Sequence, residues 1–352
     1  MALGPLMTDF VGLELDSVDR EILCHPLIGG VILFSRNYAD PEQIRAVTDE
    51  LHALRSPKLL VAVDHEGGRV QRFRNGFTEL PAAAIIGNIY DDDPSAGLVF
   101  AEQCGWLMAA ELRSIGVDFS FAPVLDLGSP ASPIIDDRAF HKDPHCVARI
   151  ARAYVKGMHS AGMAAVGKHF PGHGTVLADS HRELPVDNRS YYDIANSDLI
   201  TFRLLAPIIE GMMPAHIVYP AVDNEPAGYS SVWVRSILRG ELDFTGIIFS
   251  DDLNMVGASK VGGVDERALL AIEAGCDVIL LCNDRPGTEQ LLSSFSSQVE
   301  PITQVRLMRM HGKGKARDRE DLFADERWVA ASADISRVQH TRVLDLGDDL
   351  PR

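Results

Sequence analysis

Residues 246–253 of the chain read GIIFSDDL, an apolar run with two adjacent isoleucines that ends in two carboxylates, Asp251 and Asp252. A short apolar run rich in β-branched and aromatic side chains is typical of a strand that is buried on both faces. Strands of this kind occur in parallel sheets covered by helices. The two carboxylates then lie at the carboxyl end of the strand, which is where barrel enzymes carry their functional residues.

Seven other short runs of the same character lie along the chain, and most are followed by a longer segment with helical spacing of its apolar residues. The predicted strands are 10–13, 30–34, 59–63, 118–122, 164–167, 211–214, 246–249 and 277–281. The predicted helices are 41–54, 95–115, 145–161, 191–210, 232–242 and 264–274. This alternation predicts an α/β fold, a (β/α)₈ barrel of the TIM type, because eight parallel strands are the number that closes such a barrel.

The whole chain of 352 residues is interpreted as a single catalytic domain. Its core is expected at about 7–300, followed by a C-terminal helical extension and tail at about 301–352. The basic stretch 306–319 is predicted to be the solvated face of a terminal helix, and the residues after Arg337 a surface tail. The alternative, an open doubly wound sheet, would have a glycine-rich turn after its first strand, and residues 14–16 (ELD) provide none.

The composition narrows the classes of partner and the compartment. A formal net charge of −17 repels nucleic acid and anionic membrane surfaces, so we expect neither as a partner. The five cysteines include no C-x-x-C pair, which favours reduced thiols. The N-terminal residues MALGPLMTDF do not have the pattern of a secretion signal, and no apolar run is long enough to span a bilayer. We therefore expect a cytoplasmic protein.

Polar side chains follow the predicted strands at the points where the strands end. In a barrel these ends meet at one mouth, so separate parts of the sequence would direct ionisable groups into one pocket. This convergence indicates an enzyme. The residues concerned are Asp64, Asp126, Lys168, His169, His216, Asp251, Asp252 and Asn283.

Asp251 is the candidate for covalent chemistry at this mouth. A carboxylate fixed at the end of a buried strand can act as a nucleophile towards a centre that develops positive charge. Asp252, one residue further on, is interpreted as a cap of the following helix, since aspartate is a preferred N-cap residue.

The loop after the fifth predicted strand contains the other candidate for proton transfer. Asp179 and His181 are two residues apart, so the carboxylate can accept a hydrogen bond from the imidazole and fix its tautomer. A histidine with an ordinary pKa of about 6.5 can both give and take a proton near neutrality. His173, between two glycines, is interpreted as a hydrogen-bonding residue of the loop, whereas His169 could either be a core histidine or contact a ligand.

The turn at 64–72 (DHEGGRVQR) is dense in charged residues, and residues 136–138 (DDR) add another arginine. Carboxylate and guanidinium groups recognise hydroxyls by paired hydrogen bonds, although these residues could equally form structural ion pairs.

Taken together, the motifs DHEGGRVQRF, DDRAF, KHFPGHG with DSH, MPAHIVYP and FSDDLNM resemble those of glycoside hydrolase family 3, and within it the bacterial β-N-acetylglucosaminidases of the NagZ type. The similarity runs in order from about residue 10 to about residue 283, most of the chain. It implies a retaining exo-enzyme that removes terminal β-linked N-acetylglucosamine from muropeptides during peptidoglycan recycling. It also implies a single barrel domain with no metal or organic cofactor. We further expect a monomer whose partner is a small carbohydrate or muropeptide substrate.

The resemblance also implies a role for individual residues. Asp251 matches the nucleophile, His181 the acid/base, and Asp179 the residue that supports His181. The sugar-binding positions of the family correspond to Asp64, Arg72, Arg138, Lys168 and His169. The chain has His65 where the family commonly has glutamine. A His–Asp dyad in place of a second catalytic carboxylate distinguishes this subgroup from the family-3 β-glucosidases.

Other functions remain open at this point. One is a family-3 β-glucosidase, and another is an inactive sugar-binding barrel. A third is a metal-dependent barrel hydrolase with ligands drawn from His169, His173, His181, His216 and Asp251. The last is an aldolase that forms a Schiff base on Lys168.

Overall fold

A computed structural model describes residues 2–129, 132–173, 176, 184–255, 262–295 and 300–345. Its centre is a closed barrel of parallel strands in which each strand pairs with its neighbours in sequence and the last pairs with the first. The barrel strands are β1 Leu6–Thr8, β2 Ile28–Leu33, β3 Leu60–Val63, β4 Phe119–Ser120, β5 Ala164–Phe170, β6 Gly211–Pro214, β7 Ile247–Asp252 and β8 Val278–Leu280. The predicted (β/α)₈ barrel is confirmed, and the open doubly wound sheet is excluded.

Helices surround the barrel and connect its strands. They are α1 Ser17–Leu23, α2 Pro41–Ala53, α3 Ala83–Asp92, α4 Pro94–Ser114, α5 Pro144–Ser160, α6 Tyr191–Ala195, α7 Asp198–Leu205, the π-type helix α8 Val232–Glu241, α9 Val264–Ala274, α10 Arg285–Ser294, α11 Pro301–Met310, α12 Arg319–Phe323 and α13 Glu326–Asp345. Several begin with an aspartate whose side chain accepts backbone N–H groups just before a proline of the first turn, as Asp40, Asp93 and Asp143 do. Capping residues thus fix where these helices start.

Two short hairpins follow barrel strands at the carboxyl end of the barrel. The first pairs His65–Gly67 with Val70–Gln71 and directly follows β3. The second pairs Val218–Tyr219 with Asp223–Pro226 and follows β6. The first hairpin carries part of the charged turn that was noted in the sequence.

The first strand was predicted at 10–13, and this position is wrong. The strand is β1, in which Leu6 pairs with Ile28 of β2 and with Ile279 of β8. The apolar residues at 10–13 belong to the segment after the strand, where Phe10 is buried but Val11 is 69% exposed. The apolar residues at 10–13 therefore lie at the mouth of the barrel and do not form part of its wall.

The helix predicted at 191–210 is two helices, α6 and α7. The break at Asn196 and Ser197 places Asp198 at the start of α7, where its buried carboxylate pairs with Arg189 at 2.7 Å. A buried carboxylate requires a partner, and Arg189, just before α6, provides it.

The C-terminal segment also differs from the prediction. Arg306 donates to the carboxylate of Asp277 at 2.9 Å, and residues 311–318 are not helical, so 306–319 is not one solvated helical face. Helix α13 continues to Asp345, through the region that was predicted as a tail after Arg337. Its residues Ala331 and Ile335 are buried against the rest of the protein. No helix among the described residues has the length and hydropathy needed to cross a membrane.

The interior of the barrel is filled by aromatic side chains below the mouth. Phe119, Phe121 and Phe249 are fully buried, and their rings lie 5.2–5.5 Å apart between centroids. Aromatic rings at these distances pack favourably and contribute to a packed barrel interior. Phe121 also lines the cavity above and forms part of its floor.

Candidate active site

A cavity of about 430 Å³ opens at the carboxyl ends of the strands, a size typical of small-molecule sites. It contains six of the eight residues that were assigned a role from the sequence, namely Asp64, Arg72, Arg138, Lys168, His169 and Asp251. The other two, Asp179 and His181, lie outside the described residues. Of the polar residues predicted to converge on one pocket, Asp126 and His216 are fully buried and do not line the cavity, whereas the others do; these are Asp64, Lys168, His169, Asp251, Asp252 and Asn283.

Five charged residues form an ion-pair network along one wall, and we refer to them as the Lys168 cluster. The ammonium group of Lys168 lies 2.7 Å from Asp64 Oδ1 and 2.7 Å from Glu66 Oε1. Arg138 donates from Nε and Nη2 to the two oxygens of Glu66, both at 2.8 Å. Arg72 Nη2 is 3.6 Å from Asp64 Oδ2. The cluster joins β3, the hairpin after it, the turn at Asp136–Arg138 and β5.

All members of the Lys168 cluster for which a pKa shift is resolved are held in their charged forms. Burial acts to raise the pKa of Asp64, but Lys168 and Arg72 outweigh it and the pKa is lowered. For Glu66, Arg138 and Lys168 likewise overcome burial, so its pKa is well below the usual range. The pKa of Lys168 is raised in spite of burial because Asp64 and Glu66 face it.

These pKa directions bear on the aldolase alternative. A Schiff-base lysine needs a lowered pKa so that the free amine can attack a carbonyl group. Lys168 has the opposite environment, since two carboxylates hold its proton. The structure therefore disfavours the aldolase and suits Lys168 as a hydrogen-bond donor to a ligand.

His169 lines the cavity at the end of β5, next to Lys168. Its Nδ1 lies 2.7 Å from Asp126 Oδ2, and the pKa of Asp126 is lowered because His169 and His173 outweigh the effect of burial. An ionised Asp126 only accepts hydrogen bonds, so Nδ1 of His169 carries the proton and Nε2 is left for a ligand. His169 thus lines the cavity in a fixed orientation, and its contact with a ligand stays a prediction.

Asp126 was recognised in the sequence only as a polar residue after the fourth strand. In the structure it is fully buried, and its Oδ1 accepts the backbone N–H of His173 at 2.7 Å. It therefore connects β5 to the start of the loop that leads to Asp179 and His181. The His173 ring was expected to stabilise this loop, but among the described residues it makes no hydrogen bond, and the backbone of His173 has that role instead.

Asp251 and Asp252 form the last two positions of β7, and both line the cavity. The carboxylate of Asp251 accepts the backbone N–H of Asp252 at 2.8 Å. Asp252 Oδ1 accepts the backbone N–H groups of Asn254 and Cys282, both at 3.0 Å. Asp252 therefore ties β7 to the end of β8. The next described helix, α9, has Gly263 at its N-cap, and residues 256–261 lie outside the described part of the chain, so the interpretation of Asp252 as a helix cap stays a prediction.

The surroundings of Asp252 move its pKa far from the ordinary value. Burial, together with the negative charges of Asp251 and Asp9, raises the pKa of Asp252 to about 7, although two backbone N–H groups oppose this. His216 lies beneath Asp251 and Asp252 and is fully buried, and its Nε2 is 3.1 Å from the backbone oxygen of Asp252. Burial lowers the pKa of His216 despite the nearby Asp251.

His65, which replaces a glutamine of the family, does not reach the cavity. Its side chain is buried on the other side of the hairpin, with ring centroids 5.9 Å from Phe73 and 5.8 Å from Phe77. Burial and the nearby arginines Arg74 and Arg72 lower its pKa to about 3. The substitution therefore changes an aromatic contact behind the site and leaves the Lys168 cluster intact.

Glu66 belongs to the site but had no role assigned from the sequence. Alternate residues of an extended segment point to the same side, so Glu66 follows Asp64 into the cavity while His65 points away. That alternation was available in the sequence. The sequence did not indicate which of the arginines at positions 69, 72, 74 and 138 pairs with Glu66. The partner, Arg138, is 72 positions away along the chain.

Metal ligation was the remaining alternative at this mouth. Within the described part of the chain, no group of three or more histidine, cysteine, aspartate or glutamate side chains is placed to hold a metal ion. His181, one of the proposed ligands, lies outside that part.

Comparisons with known proteins agree with the geometry. The model for the glycosyl hydrolase family 3 N terminal domain matches residues 7–309. A beta-hexosaminidase of Alkalilimnicola ehrlichii is 52% identical over 332 residues, 94% of this chain and 95% of that protein. One of Nitrosospira multiformis is 50% identical over 339 residues, 96% of this chain and 97% of that protein.

Solved structures give the same result. The crystal structure of NagZ from Neisseria gonorrhoeae in complex with N-trifluoroacetyl-D-glucosamine has a TM-score of 0.92 and 42% identity to this chain, and the match covers 96% of this chain and 98% of that one. A family-3 β-N-acetylglucosaminidase from Paenibacillus has a TM-score of 0.84 and 31% identity, and the match covers 95% of this chain and 67% of that one. The chain therefore belongs to glycoside hydrolase family 3, and it is a β-hexosaminidase-like enzyme of that family.

Proposed function

We propose that the protein is a retaining exo-β-N-acetylglucosaminidase that acts through a covalent glycosyl-Asp251 intermediate. The observation that carries this proposal is the placement of Asp251 at the end of β7, in the same cavity as the Lys168 cluster. The cluster offers charged donors and acceptors for the hydroxyls of one terminal sugar, and charge-assisted hydrogen bonds of this kind fix both orientation and register. Asp251 is then the carboxylate available to the anomeric carbon.

The proposed reaction has two steps. In the first, an oxygen of Asp251 forms a bond to the anomeric carbon while the glycosidic C–O bond breaks, and His181 gives its proton to the leaving oxygen. In the second, His181 takes a proton from water, which attacks the same carbon and releases Asp251. Two displacements retain the configuration. Asp179 would hold His181 in the required tautomer.

The choice of N-acetylglucosamine rests on the relatives. Those named above are called beta-hexosaminidases, and the Neisseria gonorrhoeae protein was crystallised with N-trifluoroacetyl-D-glucosamine. We further propose that the substrate is a muropeptide with terminal N-acetylglucosamine, hydrolysed in the cytoplasm during peptidoglycan recycling. The protein would do this as a monomer, and none of the steps above calls for a metal or organic cofactor.

A trapping experiment tests the covalent step. A 5-fluoro-N-acetylglucosaminyl fluoride should form a stable glycosyl-enzyme, and peptide mass spectrometry should place the sugar on Asp251. Asp251→Asn should take up no label, and its kcat for an aryl N-acetylglucosaminide should fall by about three orders of magnitude or more. Label on any other residue would contradict the assignment.

A comparison of substrates separates this proposal from the β-glucosidase alternative. We expect the aryl β-N-acetylglucosaminide to be turned over much faster than the matching β-glucoside. The variant His181→Ala should be slow on both. Faster turnover of the glucoside would support the alternative, and full activity of His181→Ala would remove this histidine from the mechanism.

A further inference from the structure

Glu66 holds a central position in the Lys168 cluster. Its Oε1 is shared by Lys168 Nζ at 2.7 Å and Arg138 Nη2 at 2.8 Å, while Oε2 accepts from Arg138 Nε at 2.8 Å. The side chain is only 8% exposed, and Arg138 is 13% exposed. One nearly buried carboxylate therefore bridges two cations that come from different parts of the chain.

We propose that Glu66 is a positioning residue for the hydrolysis reaction, which holds Lys168 and Arg138 side by side so that their remaining N–H groups meet the sugar in one fixed arrangement. This inference rests on the proposed function of the same cavity. It assigns to Glu66 no bond to the reacting atoms.

Counting donors shows what Glu66 leaves for a ligand. An ammonium group has three N–H donors, and Lys168 uses two of them on Asp64 and Glu66, so one remains. A guanidinium group has five, of which Arg138 uses two on Glu66 and one on the backbone oxygen of Ile134 at 3.3 Å. The bidentate pairing with Glu66 fixes the plane of the guanidinium and hence the direction of the donors that remain.

The charges explain why a carboxylate is needed at this position. Lys168 and Arg138 both lie within hydrogen-bond distance of the same oxygen, and without the negative charge of Glu66 they would be two neighbouring cations in a buried site. Like charges in such a site repel, and the weaker cation loses its proton more easily. The groups that face Lys168 are Asp64, Glu66 and Arg138, so removing Glu66 leaves one carboxylate against one arginine.

Two substitutions separate the charge of Glu66 from its geometry. Glu66→Gln keeps the length of the side chain but removes its charge, whereas Glu66→Asp keeps the charge but is too short to reach both partners. The exposed Glu79, which pairs with Arg74 at 3.0 Å with its side chain 72% exposed, provides the matched control Glu79→Gln. Each variant is assayed for kcat and KM on whichever aryl glycoside the wild-type enzyme turns over, and for inhibition by the matching free sugar as a function of pH.

We expect Glu66→Gln to lower kcat/KM by about 10–100-fold, the range seen when residues that orient metal-binding side chains are replaced. Inhibition by the free sugar should weaken at a lower pH than in the wild type, because Lys168 deprotonates more easily and binding of this sugar takes no proton from His181. Glu66→Asp should also be slow but should keep the wild-type pH dependence of inhibition, and Glu79→Gln should match the wild type. A residue that only stabilises the fold would lower the thermal midpoint without changing this pH dependence.

The inference is overturned if inhibition of Glu66→Gln by the free sugar keeps the wild-type pH dependence, or if its kcat/KM stays within twofold of the wild type. If Glu66→Gln does not fold, the test rests on Glu66→Asp. A wild-type kcat/KM in that variant would overturn the inference as well. Failure of the proposed function has a different signature, because the wild-type enzyme itself would then not hydrolyse the aryl N-acetylglucosaminide.

Discussion

Asp64 and Asp252 line the same cavity, and their surroundings move their pKa values in opposite directions. Burial acts to raise both. Asp64 faces Lys168 and Arg72, so its pKa is lowered, whereas Asp252 faces the carboxylates of Asp251 and Asp9, so its pKa is raised to about 7. Two carboxyl groups that line one cavity can therefore carry different charges at neutral pH.

The raised pKa of Asp252 predicts how stability depends on pH. The folded protein holds a proton on this group up to about pH 7, whereas the unfolded chain releases it near 3.8. Stability from this group is therefore complete below pH 4 and is lost as the pH rises towards 7. Asp252→Asn should be more stable than the wild type at pH 8, by roughly 1–2 kcal/mol once solvent screening is allowed for.

Thermal unfolding of both proteins at pH 8 and pH 5 measures this difference. The midpoint of Asp252→Asn should exceed that of the wild type at pH 8, and the gap should narrow at pH 5. Asparagine can still accept the N–H groups of Asn254 and Cys282, so the variant isolates the charge. A gap that is the same at both pH values would show that Asp252 is ionised in the folded protein.

Residue-level prediction from the sequence worked where a side chain follows a strand directly. Asp64, Asp251, Lys168 and His169 were found in this way, and all four line the cavity. The pairing of Glu66 with Arg138 and of Asp126 with His169 was not predicted, because each joins segments whose relative placement depends on the closed barrel. Strand ends can be recognised locally, but partners across the mouth require the three-dimensional fold.

At the level of elements, every predicted strand except the first overlaps a strand of the barrel. The strand predicted at 211–214 is β6 Gly211–Pro214, which lies between β5 and β7, while β1 was displaced along the chain. An apolar residue buried in a loop, such as Phe10, has the same sequence signature as a strand residue. The boundary of β1 depends on its pairing with β2 and β8, which the local sequence does not encode.

Helices α4 and α5 illustrate a contact that their predicted boundaries did not reveal. A Cβ atom added at Gly157 of α5 would lie 2.2 Å from the backbone oxygen of Glu102, and one at Gly105 of α4 would lie 2.1 Å from that of Tyr154. The two helices thus meet backbone to backbone, and only glycine fits at these positions.

Gly157→Ala should therefore destabilise the protein by about 3 kcal/mol or more, because backbone atoms on both helices would have to move. Thermal unfolding should show a midpoint several degrees below that of the wild type. The control is Gly240→Ala on the exposed side of α8, where the new Cβ would lie 3.4 Å from the backbone oxygen of Arg235. Its midpoint should equal or slightly exceed the wild-type value, and equal midpoints for the two variants would mean that α4 and α5 are further apart.

At the scale of the whole molecule, the C-terminal helices are attached to the barrel by buried contacts. Trp328 of α13 donates from Nε1 to Glu111 of α4 at 2.9 Å, and the same carboxylate accepts from Thr78 Oγ1 at 2.6 Å. Burial raises the pKa of Glu111, although these hydrogen bonds favour its ionised form. This arrangement favours the prediction that the extension and the barrel form one domain, because Glu111 joins α13, α4 and the segment before α3.

Ile335 provides a direct test of that prediction. It is fully buried on α13, so Ile335→Ala should cost about 2–4 kcal/mol through lost burial and the cavity that remains. If the chain is one cooperative unit, the unfolding midpoint measured by circular dichroism and the temperature at which glycosidase activity is lost should fall together by the same amount. Val329→Ala, on the same helix but 52% exposed, should change neither. If the C-terminal helices formed a separate unit, this unit would unfold at a lower temperature in Ile335→Ala. The glycosidase activity, which depends on the mouth of the barrel, would then persist to the wild-type temperature.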